Sequence, residues 1–190
     1  MRILGYGFFS SFYLFFCKLI TYCFYPKIKI IRFPFFFRGS NHIFIGEDSS
    51  LGVGCRIESY LGGTVSIGKN VQINDYLHIG CTNSVIIEDN CLLASKVFIT
   101  DHNHGSTSNH DILLQPKLRG LSSAPVKINT NVWIGENVSI LPGVVIGESS
   151  IIGAGSVVTK NIPPFSIACG VPAKVIKRFD RDLNKWIKEN

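Results

Sequence analysis

The sequence predicts an all-β protein: a coil of short parallel strands with a turn after every sixth residue. Three observations predict it. Aliphatic side chains recur at a spacing of six between Ile45 and Val158. Glycine follows the aliphatic residue at seven of the fifteen steps (46, 52, 68, 80, 135, 147, 153). One stretch, residues 101–125, holds no repeat at all.

The steps run Ile45, Leu51, Ile57, then Ile67, Ile73, Ile79, then Ile87, Leu93, Ile99. After the interruption they resume as Ile128, Ile134, Ile140, Ile146, Ile152 and Val158. An α-helix turns through about 600° in six residues, so it cannot keep such positions on one side. A straight strand permits them by parity, but glycine at fixed intervals would weaken it. Short strands joined at corners satisfy both facts. The aliphatic points inward, and the Gly or Asn beside it is expected to accommodate the corner. Three sides close a triangular coil of about 18 residues, with coils stacked about 4.8 Å apart. The phase shifts from 57 to 67 and from 79 to 87 read as insertions at corners.

The two ends differ from the body. Residues 1–46 carry Arg2, Lys18, Lys27, Lys29, Arg32 and Arg38 and no acid, and residues 171–190 carry six basic and three acidic side chains. With a total of +6, the middle is therefore −3. Nucleic-acid binding calls for a basic face on the folded body. Basic ends instead suit a membrane surface or phosphate-bearing ligands. Residues 1–30 are expected to form an apolar, basic helical segment. Its run from Ile3 to Tyr25 is interrupted by Lys18, weakened at the start by Gly5 and Gly7, and followed by no small-residue cleavage site. It could lie on an anionic cytoplasmic leaflet, pack on the domain or a neighbouring subunit, or span a membrane. "PFFFRGS" at 34–40 reads as an edge strand entering the body, and 180–190 as a C-terminal helical tail. The six cysteines form no CxxC pair, so reduced, buried thiols in a cytosolic protein are expected.

The stretch 101–125, "DHNHGSTSNHDILLQPKLRGLSSAP", reads as a long loop leaving the coil, and loops of that length in compact domains are usually functional. It opens with His102 and His104. His102, His104, His110 and Asp111 show no spacing typical of zinc, so no metal is expected.

"VWIGENVSILPGVVIGESSIIGAGSVVTKNIPPFSIACGVPAKVIKRF", 132–179, closely resembles the hexapeptide-repeat acyltransferases, such as the galactoside, maltose and virginiamycin O-acetyltransferases. "IRFP", "VQINDY", "ASKVFITDHNHG" and "SAPVKI" resemble the lipopolysaccharide O-antigen and capsule O-acetyltransferases. The resemblance covers about residues 30–179. It implies a left-handed parallel β-helix over 31–179, an exception to the right-handed rule for crossovers. It further implies a homotrimer with acetyl-CoA in the groove between two subunits. It places the catalytic base at His102, a partner in catalysis at Asn74, and Trp133 in the lining of the site. The CoA-contacting positions match Glu136, Ala154, Thr159, Lys160, Lys174 and Lys177. Lys174 and Lys177 stand where some members carry arginine, so charge is kept and the bidentate fork is lost.

Acetyl transfer to a sugar hydroxyl needs a base, a donor for the tetrahedral oxyanion and a site that excludes water. His102 can be the base, and a backbone N–H on the coil can be the oxyanion donor. The other ring nitrogen of His102 needs a partner. Asp101 is adjacent, but its side chain is expected to point the other way, so Asp101 and His104 are assigned to the acceptor. Asn74 could equally be a corner residue, Trp133 core packing, and the lysines solvated surface. The implied function is acetyl-CoA-dependent O-acetylation of a bacterial surface polysaccharide or its precursor. An antibiotic, a free sugar or a nucleotide amino-sugar is the alternative acceptor, and a non-catalytic β-helix scaffold the alternative class. The implied location is the cytoplasm, peripherally on the inner face of the membrane.

Overall fold

The computed structural model of the protein describes residues 7–105 and 109–189. Three parallel sheets form the faces of a coil, and the chain visits them in turn. The first face runs from Ile30–Ile31 through Ser50–Leu51, Gln72–Ile73, Leu92–Leu93, Trp133–Ile134 and Ile151–Ile152 to Ser166–Cys169. The second runs from Phe36–Arg38 through Arg56–Ser59, His78–Cys81, Phe98–Thr100 and Ser139–Ile140 to Val157–Val158. The third runs from Ile43–Ile45 through Thr64–Ile67, Ser84–Ile87 and Val126–Ile128 to Val145–Ile146. The parallel β-helix of hexapeptide repeats is therefore as expected, with Phe36–Arg38 on an outer edge.

Register explains the period. Ile57 lies beside Ile79, Ile79 beside Ile99, Ile99 beside Ile140 and Ile140 beside Val158, so each hexad aliphatic stacks on its counterpart in the next coil. Fourteen of the fifteen are buried, with Ile45 on the rim. At about 1.5–3 kcal/mol for each fully buried large aliphatic, this column is the main source of stability. Buried serines complete the interior: the Ser49 hydroxyl donates to the Gly68 carbonyl (2.8 Å) and accepts from the Val71 N–H (2.9 Å).

The glycines beside the aliphatics work differently from the expectation. None of them has a positive φ; that conformation falls on other residues, among them Asn70, Asn90, Asn131 and Asn137. What demands glycine is the neighbouring coil. A Cβ on Gly46 would lie 2.5 Å from the Gly68 carbonyl carbon, and one on Gly135 2.6 Å from the Ala154 nitrogen. The corner asparagines thus supply the left-handed turn, and the glycines the close approach.

Both ends of the coil are closed. Phe8–Phe24 forms a helix beyond the first strand. There the Thr21 hydroxyl accepts from the Ile31 N–H at 2.9 Å, and the Tyr13 hydroxyl donates to the Phe33 carbonyl at 2.7 Å. Among the described residues no helix is long and apolar enough to cross a membrane. The C-terminal tail corrects the sequence reading. In place of a helix, Lys174–Asp180 pairs antiparallel with Ser166–Cys169, and Lys185–Lys188 pairs with it in turn. The open edge of the last coil offers unpaired backbone groups, whereas a helix of 180–190 alone would be marginal in water. Phe179 and Trp186 fasten the hairpin, ring centroids 5.4 Å apart.

Candidate active site

The interrupted stretch leaves at the corner between the second and third faces. His102–His104 pairs antiparallel with Leu121–Ser123, so the long loop stands on a two-stranded stem. The stem is tied to the coil through the Thr82 and Ser123 hydroxyls, 2.7 Å apart. Beside it opens a cleft of about 370 Å³ lined by Tyr60, Leu61, Thr82, His102, His104 and Leu121.

Asp101 decides the chemistry of this corner, and here the sequence reading is corrected. Its side chain turns inward, fully buried, with no surface left for an acceptor. One carboxylate oxygen accepts from the Thr82 N–H (2.9 Å), the Thr82 hydroxyl (3.2 Å) and His102 Nδ1 (3.0 Å). The other accepts from the Asn83 N–H (2.7 Å) and the Cys81 thiol (3.3 Å). Burial by itself would raise the pKa of Asp101. The backbone N–H groups of Thr82 and Asn83, with His102 and Cys81, outweigh burial and hold it below the ordinary carboxylate range. Cys81 is affected in the opposite sense. Burial first, then the Asp101 charge, push its thiol up to about 12, so it stays protonated and is no nucleophile.

A carboxylate on Nδ1 makes that nitrogen the donor and leaves Nε2 of His102 able to accept a proton. The ring is fixed from other sides as well. Tyr60 meets it edge-on at 6.3 Å and His104 at 6.1 Å between centroids. Tyr60 itself lies under the Arg38 guanidinium, 4.6 Å from its ring centre. Gly80 completes the seat, because a Cβ there would come within 3.3 Å of the His102 ring. Gly80→Ala is expected to push the ring by a few tenths of an ångström. On the reading of His102 as the base, turnover should fall about tenfold or more with an unchanged fold, since sub-ångström misplacement of the group that takes the proton is costly. Steady-state kinetics beside circular dichroism checks this.

The other anticipated residues do not gather at this corner within one chain. Asn74 lies at the corner between the first and second faces, in a shallow pocket with Leu14, Ile30, Arg32, Ser50 and Gln72. Trp133 projects half-exposed from the first face. Glu136, which reaches Lys96 at 3.7 Å, and the exposed Ala154 follow on the same edge as Asn74. Thr159 and Lys160 are exposed on the edge that carries His102, two coils further along, or about 10 Å. Lys174 and Lys177 are exposed on the C-terminal strand. Among the described residues, Lys160, Lys174 and Lys177 have no ion-pair partner, which suits anionic phosphates. No group of three or more metal-ligating side chains occurs among the described residues. The His110 side chain lies outside the described residues.

Tyr60, Leu61, Thr82 and Leu121 were not anticipated. A signal existed for the first two: the hexad phase slips between 57 and 67, and Tyr60-Leu61-Gly62-Gly63 occupies the slip.

The repeats at residues 125–160 match the family of bacterial hexapeptide transferases (six repeats). The chain is 44% identical over 174 residues to the protein of Escherichia coli (strain K12) named as lipopolysaccharide biosynthesis O-acetyl transferase WbbJ, covering 90% of this chain and 89% of that one. This chain belongs to the hexapeptide-repeat transferase family. Two solved structures of acetyltransferases share the fold. A maltose O-acetyltransferase from Clostridium difficile 630 superposes with a TM-score of 0.65 at 33% identity, over 75% of this chain and 73% of that one. A galactoside acetyltransferase in complex with coenzyme A superposes at 0.54 with 33% identity, over 82% and 65%. As a hexapeptide-repeat transferase the protein is an acyltransferase, with acetyl-CoA as co-substrate.

Proposed function

We propose that this hexapeptide-repeat transferase O-acetylates a sugar hydroxyl of a bacterial surface polysaccharide or its precursor, with His102 as general base. The observation that carries the reading is the Asp101–His102 pair at the mouth of the Tyr60–Leu121 cleft. Acetyl-CoA supplies the activated acyl group. His102 Nε2 takes the proton of the acceptor hydroxyl as its oxygen attacks the thioester carbon. The C–S bond breaks, and the same imidazolium returns that proton to the departing thiolate. Asp101 holds Nδ1–H throughout and stabilises the transient positive charge. Tyr60, with Leu61 and Leu121, offers an apolar wall for the CH face of a sugar ring, and His104 and the Thr82 hydroxyl offer polar contacts to its hydroxyls.

We further propose that the enzyme works as a homotrimer. The anticipated residues lie on two different edges of one coil, so a complete site requires the edge carrying Asn74, Trp133, Glu136 and Ala154 from a second copy to face the edge carrying His102, Thr159 and Lys160. The lysines 160, 174 and 177 then hold the CoA phosphates. The reading puts the enzyme on the cytoplasmic side of the membrane, where acetyl-CoA and glycan precursors meet.

The acceptor is tested by mass spectrometry of the surface glycan from cells with and without the protein. The expected result is the loss of one acetyl group from each modified repeat unit. An unchanged glycan, together with acetylation of a small sugar or antibiotic by the purified protein, would overturn the polysaccharide assignment.

A further inference from the structure

The N-terminal helix has two apolar faces, and the coil covers one of them. The inner face carries Cys17 and Thr21, both buried, and is fixed in rotation by Tyr13 and Thr21. The outer face carries Phe8, Phe12, Phe15, Phe16, Leu19 and Tyr22, which are 50–81% exposed. Their spacing of four, three, one, three and three places them on one side of a helix about 25 Å long. Thr21 bonds the edge of Ile31 that faces away from Ser50–Leu51, so the opposite side of the helix looks away from the coil. A fixed aromatic stripe of this size on the surface of a soluble domain marks a site of interaction.

The charge around the stripe selects its partner. Residues 1–46 hold six cations and no acid; Arg32 is paired with Asp75 and Arg38 lies over Tyr60, so Lys18, Lys27 and Lys29 are the cations beside the stripe. Lys18 flanks the stripe and donates to the Lys29 carbonyl at 2.5 Å, and Lys27 and Lys29 follow the helix at exposed positions. Lys27 meets Glu47 at 3.5 Å, an exposed pair that neutralises little. An aromatic face rimmed by cations matches the interface of a bilayer with anionic headgroups. Like faces of two copies would instead bring two acid-free segments together, which like charge opposes. Among the described residues no helix is long and apolar enough to cross a membrane, so the face is presented to a surface.

We propose that the outer face of the helix Phe8–Phe24 docks in the plane of an anionic lipid bilayer, holding the transferase at the membrane surface. The test is flotation of the full-length protein with two kinds of vesicle, phosphatidylcholine alone and phosphatidylcholine mixed with phosphatidylglycerol. Binding to the mixed vesicles is expected, weakened by added salt. The variant Phe12→Ser/Phe15→Ser/Phe16→Ser should lose at least about tenfold in partition while melting like the parent, because these side chains touch no core. Absence of binding to mixed vesicles would overturn the proposal, as would equal binding to both kinds. Unchanged flotation of the triple variant would also overturn it. A smaller assembly size for the variant in gel filtration, without vesicle binding by the parent, would assign the face to a second copy. Binding is read with no acceptor present, so its failure would leave the acetyl-transfer reading untouched, and the reverse holds.

Discussion

His102→Ala should lower turnover by about 10²–10⁴, the range for loss of a general base, while acetyl-CoA still binds. That corresponds to about 2.7–5.5 kcal/mol of lost transition-state stabilisation. The expectation rests on geometry. His102 reaches the cleft, is only 14% exposed at its side chain, and is held by a carboxylate on Nδ1. His104→Ala is the necessary companion. His104 lines the same cleft but has no carboxylate partner among the described residues, so its loss should act chiefly on KM for the acceptor. Single-turnover acetyl transfer with both variants, beside calorimetry of acetyl-CoA binding, separates the two roles. Near-normal turnover in His102→Ala with collapse in His104→Ala would exchange the assignments.

Asp101→Asn should be nearly as damaging to catalysis and should also alter stability. The native carboxylate is an acceptor to five donors, and an amide cannot be. Its –NH₂ group must face either the Asn83 side or His102. In the first case a buried backbone N–H loses its acceptor, at about 1–3 kcal/mol. In the second the imidazole must accept at Nδ1, which puts the proton on Nε2, where the acceptor hydroxyl needs a base. A fall in turnover of about 10²–10⁴ follows from the wrong tautomer. The pH dependence has a definite sign. The folded state holds Asp101 below the ordinary carboxylate range. Its contribution to stability is therefore complete above about pH 4 and is lost as pH falls through the lower folded value. The parent should lose stability over that acidic window more steeply than Asp101→Asn. Urea unfolding between neutral and acid pH measures the difference, and parallel slopes would show that the carboxylate is not held as described.

Much of this was legible in the residues. The period of six is a consequence of interior packing, so Ile134, Ile140 and Ile146 announce the coil without any tertiary information. The exit of the loop after Ile99 was legible for the same reason, because the rhythm stops there. The direction of the Asp101 side chain was not. Residues at a break in the repeat obey no alternation, and the donors that draw Asp101 inward, on Cys81, Thr82 and Asn83, belong to the coil below, about twenty residues away in the chain. The role of the hexad glycines was hidden in the same way: a corner and a close approach look alike until the neighbouring coil is in place.

The C-terminal segment makes the general point. Residues 180–190 have the polar, basic pattern of a short surface helix, yet the chain folds back as a strand pair. The free edge of Ser166–Cys169 offers hydrogen bonds that an isolated helix cannot match. By itself, the sequence determined the coil, its interior, the place where the loop departs and the histidine at its mouth, since each depends on spacing along one chain. The tertiary structure decided what stands beside that histidine, which edge each remaining residue occupies and how both ends are closed. Those depend on contacts between coils, and stacking sets them where sequence distance carries no signal.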